Sequence, residues 1–224
     1  MDVIDTGGTA KAGEPAHAES PARLVALSDG IYAIAMTLLV LDVSVPGGLD
    51  AATFRHEMSQ VWPRLAAYAL SFAVLGAFWR DQRQILQRVR RVDILTIRLT
   101  LAGLGAAALL PFPTTLLSEY GSQEPLAVSA YAATVALLSL LHLALFASVW
   151  RREYLQVRPI PDRVGWTVVA EQGTVALVCA ASVVVAFAIA PRAALYTWLV
   201  TFPLKHAIRL RGRTPHHRTK PPCQ

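Results

Sequence analysis

The stretch RLVALSDGIYAIAMTLLVLDVSVP, residues 23–46, holds Ser28 and Asp29 near one end and Asp42 near the other, with only Thr37 interrupting the apolar run from 30 to 41. A carboxylate at membrane depth is costly, and it persists where it faces the interior of a helix bundle with a partner. Such a group can organise the bundle or act on ions that pass it. His142 and Glu171 are the remaining ionisable residues in strongly apolar surroundings, and together they raise a proton path or a membrane hydrolase. Against both, no nucleophile and base stand at a recognisable spacing, and no cluster of metal ligands accompanies them. The two cysteines, Cys179 and Cys223, are too few and too far apart for a disulfide framework or a metal knuckle. The chain therefore does not read as an enzyme, and no cofactor or metal is expected.

The elements that position these residues follow from composition. The chain has 224 residues, 54% of them hydrophobic and 16% charged, and its mean hydropathy of +0.42 is too high for an ordinary soluble domain. An all-α membrane protein is the expected class. A spanning helix needs roughly 20 mostly apolar residues, and six segments near that length recur between clusters of charge and proline: 24–45, 61–79, 94–117, 126–150, 164–190 and 193–208. The last is short, contains Pro203 and ends in Lys205 and His206, which also fits a tilted or interfacial helix. Residues 1–22 lack the basic start and apolar centre of a secretory signal and read as a disordered cytosolic tail. The expected organisation is that tail, a six-span domain over 23–208 and a basic cytosolic tail over 209–224.

Basic residues set the orientation. Arg80, Arg83, Arg88, Arg90 and Arg91 follow the second span, Arg151, Arg152, Arg158 and Arg163 follow the fourth, and five more basic residues lie in the last tail. The positive-inside rule puts these three regions and both termini in the cytosol of a protein of the plasma or inner membrane. A net charge of +6 and a pI near 9.7 could point to nucleic acid. No nucleic-acid-binding pattern accompanies them, so anionic lipid is the expected partner. Arg88, Arg90 and Arg91 lie in a polar loop and not at every third place of an apolar helix, which argues against a voltage sensor.

On a helical wheel Ile34, Leu38, Leu41 and Val45 share one narrow stripe with Thr37 on its flank, while Asp29 points nearly the opposite way. Ordinary helix packing would account for such a stripe as well as a pore would. Gly103 and Ala107 form a pair of small residues four apart in the third span, as close helix packing uses.

The segment RLVALSDGIYAIAMTLLVLDV resembles the opening signature of the transmembrane protein 175 family of potassium channels: an Arg, three residues, Phe-Ser-Asp, then an apolar run closed by an acid. Arg23, Ser28, Asp29 and the order from Ala33 to Asp42 match, with Leu27 for Phe and Met36 for Ile. YALSFAVLGAFWRDQRQIL is similar to the family's second span through Phe78 and Trp79, with Gln82 where a histidine is expected. AALLPFPTTLLSEYG resembles the third through Leu110, Pro111, Phe112, Pro113 and Thr114.

The resemblance implies six spans per subunit and a homotetramer whose first helix lines a central pore. It carries the constriction residues to Ile34, Leu38 and Leu41, and it implies potassium conduction without the Thr-Val-Gly-Tyr-Gly filter, a string this chain lacks. With the stripe facing a pore, Thr37 flanks it and a ring of Asp42 at the outer mouth would attract cations. Asp29 then faces neighbouring helices, where Arg23, Arg98, Trp79 or Gln82 are its expected partners. Gln82 cannot titrate as histidine does, and Arg98 adds a charge. A secondary transporter is the alternative; it would more often show inverted repeats with broken helices, and no clear internal match is seen.

Overall fold

The computed structural model describes residues 21–44, 47–48, 50–121 and 123–190, the side chains of Asp42, His56 and Gln60 apart. It contains α1 (Pro21–Leu38), continued by a 3₁₀ turn over Leu39–Asp42, then α2 (Ala51–Leu86), α3 (Ile94–Leu109), α4 (Pro111–Tyr120), α5 (Pro125–Trp150) and α6 (Asp162–Ala188). No strand occurs among the described residues, only an isolated antiparallel bridge between Val89 and Gln156.

Five runs are long and apolar enough to cross a membrane: Pro21–Leu41, Ala51–Leu86, Ile94–Tyr120, Pro125–Trp150 and Asp162–Ala188. The sixth expected span, 193–208, lies outside the described residues, as do the tail 209–224 and all but the last two residues of the expected tail 1–22. Helix α1 begins at Pro21, slightly ahead of the boundary expected at 23.

The second helix departs most from expectation. Instead of 61–79 it runs for 36 residues with Pro63 inside it, about 54 Å at 1.5 Å per residue against a hydrocarbon core of about 30 Å. At its start Asp50 caps the helix, accepting weakly from the N–H groups of Ala52 and Thr53. At its other end Arg80 and Arg83, expected in a loop, are helical, and Asp81 and Gln82 between them are buried. The helix continues there because its polar side chains find partners on α1.

The third span is one run broken at Pro111, which lacks the N–H that would continue the α3 ladder. Leu110 keeps helical dihedrals, and its carbonyl accepts from both the N–H and the hydroxyl of Thr114. Thr114 also meets Ser71, whose hydroxyl donates to Tyr131, so α2, α4 and α5 are tied at the break.

Helix α5 is central and packs against α6, α3, α4 and α2, while α1 lies against α2 and α3. The core includes Tyr32, Leu39, Leu75, Phe78, Leu104 and Leu138. Gly103 and Ala107 are buried on α3, and a β-carbon on Gly103 would sit 3.8 Å from Gln82 Oε1 and 3.9 Å from His142 Cε1. Both are ordinary van der Waals distances, so α3 lies beside the polar centre of the bundle without requiring glycine there.

The connections at the arginine-rich end are tied as well. Asp93 caps α3 through the N–H and hydroxyl of Thr96 and pairs with Arg152 from beyond α5. Burial favours the neutral acid, but the Thr96 bonds and Arg152 outweigh it and hold the carboxyl below its ordinary range.

Candidate functional site

Two faces of α1 have opposite environments. Leu24, Ser28, Tyr32, Ala35 and Leu39 are buried, spaced four, four, three and four residues apart, as one face of a helix requires. On the other side Ile34 is 60% exposed, Leu38 43% and Leu41 69%, with Leu27 continuing the row toward the arginine-rich end. The 3₁₀ turn keeps this row straight, because side chains three apart eclipse one another in that geometry and Leu41 therefore stands over Leu38. Thr37 is exposed on the flank, its hydroxyl donating to Ile34 O at 2.8 Å, so the side chain is satisfied within its own helix. Asp42 closes the turn, and its side chain lies outside the described residues.

The buried face is held by a chain of hydrogen bonds. Ser28 Oγ donates to Leu24 O at 2.8 Å and accepts from Gln82 Nε2 at 3.0 Å. The Tyr32 hydroxyl lies 3.3 Å from both Gln82 Oε1 and His142 Nε2. His142 Nδ1 faces Leu138 O at 2.8 Å, and its ring lies against Phe78 with centroids 4.9 Å apart. A nitrogen against a carbonyl carries the proton, so in the neutral ring Nε2 accepts and competes with Gln82 Oε1 for the single Tyr32 proton. The network joins α1, α2 and α5 through fully buried groups, where polar atoms are retained only with partners.

Asp29 sits at the edge of this face. Trp79 Nε1 donates to its Oδ1 at 2.7 Å, Arg83 stands 3.5 Å from its Oδ2, and the Arg83 guanidinium lies over the Trp79 ring, 5.6 Å from its centroid. Of the expected partners Trp79 is present. Arg23 and Arg98 are exposed on other faces of α1 and α3, and Gln82 is one position too far round α2 and bonds Ser28 instead.

Arg83 was not expected, although it follows Trp79 by four residues and so shares its face of α2. Tyr32, four residues after Ser28, was missed for the same reason. His142 and Glu171, considered together from sequence, are separated: His142 joins Tyr32 and Gln82, whereas Glu171 lines a small cavity with Asp81 and Gln172. Among the described residues no three His, Cys, Asp or Glu gather as a metal ion would need.

Asp29→Asn leaves an oxygen for Trp79 but removes the charge facing Arg83. Both charged partners are more than a third exposed, so solvent weakens their attraction and the loss is about 1 kcal/mol. The expected result is a melting temperature in mild detergent lower by about 2–4 °C. Unchanged stability with altered ion selectivity would place the residue on a permeation path instead.

Residues 23–111 match the family model described as endosomal/lysosomal potassium channel TMEM175. A potassium channel of Streptomyces collinus is 39% identical over 129 residues, covering 57% of this chain and 62% of the relative. A potassium channel of Chamaesiphon minutus is 35% identical over 114 residues, covering 49% and 56%. The chain thus spans less than two thirds of the length of these relatives. The crystal structure of a lysosomal potassium-selective channel TMEM175 homolog from Chamaesiphon minutus superposes with a TM-score of 0.66 at 26% identity, over 87% of this chain and 98% of that one.

Proposed function

We propose that this chain, a member of the TMEM175 family through residues 23–111, is one subunit of a potassium-permeable cation channel with α1 lining the pore. The observation that carries the reading is the exposed row Ile34, Leu38 and Leu41, left uncovered on a helix whose opposite face is buried. Four subunits about an axis would turn each position of that row into a ring. Branched apolar rings offer no oxygen ligands, so the neck excludes water when narrow and conducts when it widens. In this reading Thr37 flanks the neck, a ring of Asp42 raises the local cation concentration at the outer mouth, and the Asp29, Trp79 and Arg83 cluster with the Ser28, Gln82 and Tyr32 bonds holds α1 at a fixed rotation.

The family is one of ion channels and not of enzymes. The five described candidate spans support a multi-pass membrane subunit, and the expected domain 23–208 extends beyond the described residues. The positive-inside rule supports cytosolic termini, an inner or plasma membrane location and contact with anionic lipid.

Purified protein in proteoliposomes is expected to pass potassium passively down its gradient and to favour it over sodium, with a native mass of four subunits in mild detergent. A stable monomer that still conducts would end the tetramer. Uptake that saturates and requires a coupled ion would identify a secondary transporter.

A further inference from the structure

At the arginine-rich end the connection between α2 and α3 is fastened to the one between α5 and α6. Arg90 N–H donates to Leu155 O at 2.6 Å, and Val157 N–H donates to Arg88 O at 2.9 Å. Gln156, 7% exposed, clamps the second connection: its Nε2 donates to Val149 O and Trp150 O, and its Oε1 accepts from Ile160 N–H at 2.9 Å. Pro159 and Pro161 limit the backbone further. Arg88 and Arg158, on these two tied connections, both line one open cavity of about 320 Å³.

The lining of that cavity sorts by chemistry. Arg88, Arg158 and Gln87 supply donors, Ile160 and Val164 supply an apolar wall at the start of α6, and no carboxylate takes part. A second cavity at the same end, of about 430 Å³, is lined by Arg151 together with Glu153 and Asp162. Among the described residues Arg80, Arg83 and Arg152 have ion-pair partners. Among these residues Arg88, Arg151 and Arg158 show no ion pair within 4 Å; Arg88 is half-buried and also borders the small cavity containing Asp81 and Glu171.

We propose that Arg88 and Arg158 seat the phosphate headgroup of an anionic phospholipid, with the acyl chain running along Ile160, Val164 and the outer face of α6. Guanidinium forks match phosphate oxygens, and this cavity brings two of them together with no carboxylate in its own lining. The apolar wall leads into a helix long and apolar enough to span a membrane. A free phosphate would satisfy the arginines and leave Ile160 and Val164 in water; a phospholipid satisfies both. The seat rests on the membrane-spanning reading of the chain and not on conduction.

The test counts phosphatidylglycerol and phosphatidylcholine retained by the full chain in native mass spectrometry, without measuring ion flux. The wild type is expected to keep phosphatidylglycerol in preference. Arg88→Gln combined with Arg158→Gln is expected to weaken retention by about 25-fold, at about fivefold per arginine near a bilayer surface. Arg151→Gln, from the cavity whose lining includes Glu153 and Asp162, is expected to lose clearly less than either arginine of the seat. Exposed Arg158→Gln alone should lose about fivefold and serves where the double variant yields too little folded protein. Retention unchanged in these variants overturns the seat. So does an equal loss in Arg151→Gln, which would mean diffuse surface charge, or displacement of the lipid by glycerol phosphate, which would mean a site for free phosphate.

Discussion

Ile34→Asn is expected to raise basal potassium conductance at least about tenfold and to narrow the preference for potassium over sodium. Ile34 is 60% exposed in the subunit and lies on the buried network's opposite side, so the change costs little folding energy. In the proposed tetramer it replaces four branched alkyl groups at one level of the neck with four amides that bind water. Lowering the hydration barrier by only about 1.4 kcal/mol gives the tenfold increase. Selectivity weakens because amide rings coordinate both cations. Single-channel recording or flux from proteoliposomes reads the outcome. Unchanged conductance and selectivity in tetramers that assemble normally would remove Ile34, Leu38 and Leu41 from the pore together.

Leu39→Asn, five positions along, is expected to prevent assembly instead. Leu39 is fully buried in the core that contains Tyr32, Leu75 and Phe78. Losing its side-chain packing costs about 2–5 kcal/mol, and an amide buried without partners adds about 1–3 kcal/mol. Together these approach the whole stability of a typical domain, about 5–15 kcal/mol. Size-exclusion chromatography should show aggregate or no recoverable protein. A well-assembled, leaky Leu39→Asn channel would mean that α1 is rotated from the orientation described, with its two faces exchanged.

Those contrasting outcomes for residues five apart show where sequence reading stops. The wheel put Ile34, Leu38 and Leu41 on one stripe, and the structure leaves the same three exposed, because helical periodicity is a local property. Whether that stripe met a neighbour was open until α2 and α3 were seen against the opposite face. Asp29 illustrates the same limit. Its depth implied a partner, and Trp79 was among those expected, but the cation turned out to be Arg83 and not Arg23 or Arg98. Gln82 was read as a lost titratable group, and its burial between Ser28 and Tyr32, with His142 beyond, was not visible from spacing.

The sequence by itself determined the membrane class, the apolar segments that became the five described candidate spans, and the arginine-rich connections, since run length and charge order are properties of the chain alone. It also carried the signature that links residues 23–111 to a channel family. Only the tertiary structure decided that α2 continues through Arg83, that His142 leaves Glu171 to join Tyr32, and that Arg88 and Arg158 face one cavity. These are contacts between residues 50 to 110 positions apart in the first span's network and about 70 apart at the arginine cavity. The rotation and depth of each helix fix them, and those are set by how all the helices pack at once.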